Sequence, residues 1–106
     1  MDWSHDLACF FSGVFACNGL PHFVAGVMGR RFQTPFARPP GKGLSSPAAN
    51  VVWGFFNFVV AYELLRGAGE FSLASGFQML IFGSGVLLMG LVHGYSFGRF
   101  NSGPST

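Results

Sequence analysis

The sequence predicts an all-α fold: a small polytopic membrane protein with three transmembrane helices in one integral membrane domain, residues 1–106. Three observations carry that expectation. No Asp, Glu, Lys or Arg occurs across residues 7–29, 43–62 or 71–98, and each stretch reaches or approaches the roughly 20 apolar residues that a helix needs to cross about 30 Å of hydrocarbon. Hydrophobic residues make up 50% of the chain and charged ones only 9%, against about 25% charged in a soluble domain, so there is too little polar surface to clothe a globule in water. The cations are also unevenly placed: Arg30, Arg31, Arg38 and Lys42 all fall between the first two stretches, and Arg99 follows the third.

Residues 1–6 form a short polar lead in which Trp3 suits an interfacial anchor. The first helix is expected over about residues 7–28. Its acidic start, and apolar character that continues past any plausible cleavage point, set it apart from a removable signal segment. Pro21 has no N–H to offer the carbonyl of Cys17, so a kink is expected there. In lipid the freed carbonyl needs a donor from a neighbouring helix. Cys9 and Cys17 lack CxxC spacing and read as small, buried, apolar residues.

Residues 30–46, RRFQTPFARPPGKGLSS, contain three prolines and two glycines without helical periodicity. They predict an extended or turn-rich loop, with Phe32, Phe36 and Leu44 dipping into the membrane surface and the charges turned outward. Ser46 followed by Pro47 has the form of an N-cap with proline at the first helical position, so the second helix is placed at about 47–65. The short, glycine-containing connection 66–70 makes the second and third helices an antiparallel hairpin in mutual contact. The third helix is placed at about 72–95, followed by a polar tail, 96–106, that Phe97, Arg99 and Phe100 anchor at the interface.

The positive-inside rule orients this topology. The acidic N-terminus lies outside, the basic loop in the cytoplasm, the second connection outside and the C-terminus inside, in a plasma (inner) membrane. Arg30, Arg31, Arg38 and Lys42 are then placed to attract anionic lipid headgroups, at roughly 1 kcal/mol each near the surface. Nucleic acid is not needed to explain them.

Helical spacing picks out the faces. On the second helix Asn50, Gly54, Asn57 and Ala61 form a small, polar stripe, opposite Val52, Phe55, Phe56 and Val59. On the third, Gly76, Gly83, Gly90 and Gly94 share a side and include a GxxxG, suited to close helix packing within the chain or between copies. The first helix offers Phe11, Asn18, His22, Ala25 and Gly29. Asn18, His22, Asn50, Asn57 and His93 are therefore expected to form one polar seam through three helices, with Gln78 and Ser84 extending it.

No carboxylate lies inside a span, and no set of His, Cys, Asp and Glu has metal-ligand or nucleophile–base spacing. The chain is thus expected to be no enzyme, to hold no metal or cofactor, and to act as an accessory or self-associating subunit of a membrane assembly, with lipid, other subunits or its own copies as partners. A homo-oligomeric transport module for a proton, water or small polar solute is the alternative from another class. A third reading makes His22 and His93 the axial ligands of a haem.

Overall fold

The computed structural model describes residues 3–67, 71–72 and 74–101. It is built of three helices, α1 (Trp3–Val27), α2 (Pro47–Gly67) and α3 (Gly76–Asn101), with two short strands, β1 (Phe32–Gln33) and β2 (Leu44–Ser45), in the connection between α1 and α2. Each helix is long and apolar enough to cross a membrane. Asp2, Glu70 and the tail beyond Asn101 lie outside the described residues.

Burial is inverted relative to a water-soluble domain. Among the described residues the largest fully buried side chains are Asn50, Asn57, Thr34, Cys9 and Ser12, while Val52, Phe55, Leu80, Leu87 and Leu91 are exposed. Such a surface is stable against hydrocarbon and not against water.

The helix ends are set by local hydrogen bonds. At the C-terminus of α1, Gly29 adopts a φ of 75°, and the N–H groups of Arg30 and Gly29 donate to the carbonyls of Ala25 and Gly26 at 2.8 and 3.0 Å. This is a Schellman motif, which needs the left-handed conformation glycine adopts without penalty; Gly29 thus ends the helix rather than extending its packing face. Ser46 Oγ caps α2 by accepting the N–H of Ala49 at 3.1 Å, with Pro47 opening the helix. Ser75 Oγ accepts the N–H of Gln78 at 3.2 Å, and the Gln78 side chain accepts the N–H of Ser72. These bonds start α3 at Gly76 rather than at 72. At its other end α3 continues through the segment expected to be a tail, because Gln33 and Asn101 exchange amide hydrogen bonds of 3.2 and 2.9 Å that tie down the last turn.

Small residues determine how the helices meet. Ser12 lies opposite Ala61, Gly19 opposite Gly54, and Gly26 against Pro47 and Val51, so α1 and α2 are antiparallel. Gly13 lies against Phe82 and Val86, and Gly85 against Phe10 and Val14, so α1 and α3 are parallel. The central helix is α1: among the described residues α2 and α3 each pack extensively on it and at most marginally on each other. The expected contact between the second and third helices is therefore corrected. Both flanks of α1 carry the small residues that permit backbone approach, and these draw the neighbouring helices to α1 rather than together.

The connection 28–46 is more ordered than its composition suggested. Phe32 pairs with Ser45 and Gln33 with Leu44 in an antiparallel ladder. Thr34 organises the turn between them: its hydroxyl bonds that of Ser45 and accepts the N–H groups of Phe36 and Ala37, while its carbonyl accepts that of Gly41. Phe32 packs on His22 and Phe97, while Phe36, in edge contact with Trp53, and Leu44 both stay exposed.

Candidate functional site

The α1–α2 interface carries three polar rungs. Ser12 Oγ donates to the carbonyl of Ala61 at 2.7 Å. Asn18 Nδ2 donates to Asn57 Oδ1 at 2.7 Å, and Asn57 Nδ2 donates to the carbonyl of Trp53 at 2.8 Å. His22 Nδ1 lies 3.0 Å from Asn50 Oδ1. The buried residues of α2 are Asn50, Gly54, Asn57 and Ala61, the four that helical spacing groups on one side.

Asn50 links helices and loop. Its Nδ2 faces the carbonyls of Phe32, Ser45 and Ser46 at 3.2, 3.2 and 3.0 Å. With the amide nitrogen so engaged, Oδ1 must accept from His22, which places the proton of a neutral imidazole on Nδ1. One fully buried amide thereby joins α1, both strands and the start of α2.

The seam does not continue through the third helix. His93 packs on Phe97 with ring centroids 4.8 Å apart, and Phe97 packs on His22 at 5.8 Å and on Phe32 at 4.7 Å. His93 Nε2 is buried without a hydrogen-bond partner. Aromatic contact through Phe97 thus takes the place of the expected hydrogen bonding between His93 and the other four. Gln78 is used at the opposite end of α3, and Ser84 donates back to the carbonyl of Leu80 in its own helix. Among the described residues no three His, Cys, Asp or Glu side chains gather in a way that would hold a metal ion.

The glycines divide into two groups. A Cβ at Gly54 would lie 2.7 Å from the backbone nitrogen of Phe23, and one at Gly19 would lie 2.7 Å from the carbonyl oxygen of Gly54. A Cβ at Gly13 would collide with the Phe82 carbonyl, and one at Gly85 with the Phe10 carbonyl. By contrast Gly76, Gly83 and Gly94 have nothing within 4 Å of that position, and Gly90 meets only Cys17 Sγ at 3.7 Å. Within the chain, then, Gly54 packs as expected of its stripe, while most of the α3 stripe faces outward. Sequence reasoning passed over Ser12, Gly13, Gly19, Gly26 and Gly85. The seven-residue spacing of Gly19 and Gly26, which puts them on one face beside His22, was the available signal. Phe11, grouped with that face by spacing, is exposed.

Arg30, Arg31, Arg38 and Lys42 are all exposed on the loop. Among the described residues the sole ion pair is Glu63–Arg66, at the far end of α2. A cavity of about 140 Å³ lies between loop and helices, walled by Asn18, His22, Gln33, Thr34, Trp53 and Phe97. No protein-family model, curated protein sequence or solved structure matches the chain.

Proposed function

We propose that this chain is a small integral membrane subunit that works by association through α3, with its own copies or with larger membrane partners, and not by catalysis. The observation that carries this reading is the outward glycine stripe. A Cβ at Gly76, Gly83 or Gly94 would meet nothing within 4 Å, although a glycine inside a helix, as at Gly83 and Gly94, costs about 0.5–1 kcal/mol relative to alanine. Packing within the chain gives no reason for them; a second helix approaching closely along α3 does. The basic loop is cytoplasmic in this reading, with both the N-terminus and the α2–α3 connection outside, in a plasma membrane.

Native mass spectrometry of protein extracted gently from its own membrane tests the proposal. The wild-type chain is expected as discrete assemblies, with Gly83→Leu and Gly94→Leu shifting them to the 11.4 kDa monomer. Full assembly by both variants would overturn it. The transport alternative finds its support in the small cavity beside His22, Asn18, Gln33 and Thr34, which is large enough for water at about 30 Å³ per molecule. It is weakened by the pairing of Asn18, Asn57 and Asn50 with protein groups, which leaves few amides to line a path. Normal assembly together with solute flux in liposomes that Asn57→Leu abolishes would favour it instead.

A further inference from the structure

We propose that the cavity between the loop and the last turns of α3 binds the headgroup of one anionic phospholipid. The proposal rests on the membrane reading above but not on association through α3. The cavity measures about 390 Å³; Lys42 lines it from the loop, and His93, Ser96 and Arg99 line it from the helix together with Met89 and Val92.

Three features make this a site rather than a coincidence of surface charges. The loop wall is held in place: the N–H groups of Lys42 and Gly43 donate to the carbonyl of Pro39 at 3.0 and 2.7 Å, Gly41 donates to Thr34 at 2.9 Å, and Gly41 takes a φ of 76°. Closing the turn this way leaves no room at Gly43 for a Cβ, which would meet the Arg38 backbone. The helix wall is also held, since Arg99 lies over the rings of Tyr95 and Phe100 at 5.6 and 5.5 Å, and the Gln33–Asn101 amide pair fastens the end of α3 to the strand.

The second feature is charge without a counterion. Neither Lys42 nor Arg99 has an ion pair among the described residues, and the described acidic residues, Asp6 and Glu63, lie near the opposite ends of α1 and α2. Lys42 and Arg99 both line one cavity with Ser96 beside them, and an ammonium, a guanidinium and a hydroxyl are groups suited to a phosphate.

The third feature selects the source of that phosphate. Met89 and Val92 lie further along α3 toward its middle, and Val92 is exposed. A phosphodiester held by Lys42 and Arg99 would thus have apolar helix surface beneath it, on which an acyl chain can lie. A soluble phosphate would gain nothing from that surface.

Delipidated protein titrated with phosphatidylglycerol or phosphatidylcholine, with bound lipid counted by native mass spectrometry, tests the site. The expected result is one phosphatidylglycerol per chain bound at least tenfold more tightly than phosphatidylcholine. Lys42→Ala/Arg99→Ala should lose that preference, while Arg30→Ala/Arg31→Ala, which removes the same charge, keeps it. Equal loss in both double variants would reduce the effect to diffuse attraction and overturn the site, as would an absence of preference in the wild type. Displacement of the lipid by millimolar glycerol 3-phosphate would overturn the lipid as its occupant. Oligomeric mass, read from the same spectra, reports separately on association through α3.

Discussion

At the scale of single residues, Asn50 has the most partners. Its side chain satisfies the imidazole of His22 on α1 and faces three backbone carbonyls at the start of α2 and in the ribbon. A buried polar group left without a partner costs about 1–3 kcal/mol, and Asn50→Leu strands several at once. The expected outcome is a loss of at least about 2 kcal/mol in unfolding from detergent micelles, with trypsin cleavage after Lys42 appearing under conditions that spare the wild type. Asn57→Leu breaks a single interhelical bond, of the kind worth about 0.6–2 kcal/mol, and should leave Lys42 protected. Equal cleavage in the two variants would show that Asn50 does not latch the loop. The positions of Asn50 and Asn57 on one helical face were legible because an amide in an otherwise apolar span has a period of 3.6 to betray its direction. Gln33 and Thr34, equally buried, had no such signal, since a loop has no period against which a polar residue stands out.

At the scale of elements, α1 is set apart by small residues on two flanks. Ser12, Gly19 and Gly26 serve α2, while Gly13 meets α3, where Gly85 reciprocates. The two kinds of glycine on α3 should respond oppositely to the same substitution. Gly85→Ala places a methyl group against the backbone of Phe10, which no side-chain rotation relieves, and overpacking of this kind costs about 1–3 kcal/mol. Gly83→Ala meets nothing and gains up to about 1 kcal/mol in helix propensity. Unfolding of the monomer in SDS should show Gly85→Ala less stable and Gly83→Ala unchanged or more stable than wild type; destabilisation by both would mean that the α1–α3 contact is not where the structure puts it. Glycine composition alone does not separate these two groups, because a sequence shows which side a residue occupies and not which neighbour stands there.

At the scale of the whole molecule, charge and geometry run along the same axis. The ends of α1 and α3 and the start of α2 converge where Arg30, Arg31, Arg38, Lys42 and Arg99 are found, while Asp6 and the Glu63–Arg66 pair lie at the opposite end. The positive-inside rule applied to this separation is the basis of the orientation proposed above. With Cys9 and Cys17 replaced by alanine, a cysteine introduced by Lys42→Cys should react with a membrane-impermeant maleimide only from the cytoplasmic side, and one from Glu63→Cys only from the outside. The reverse pattern would invert the topology.

The number of helices long and apolar enough to cross a membrane, the buried face of α2 and the cap at Ser46 were determined by the sequence alone, because hydropathy and helical period are local properties. The central position of α1, the docking of the loop and the removal of His93 from the polar seam were decided by tertiary structure. Each depends on which backbones come within van der Waals distance, and that choice is made by pairs of small residues far apart in the chain, Gly13 with Gly85 and Gly19 with Gly54. With those pairs in contact, the carbonyls and rings stand where Asn50 and Phe97 hold the loop.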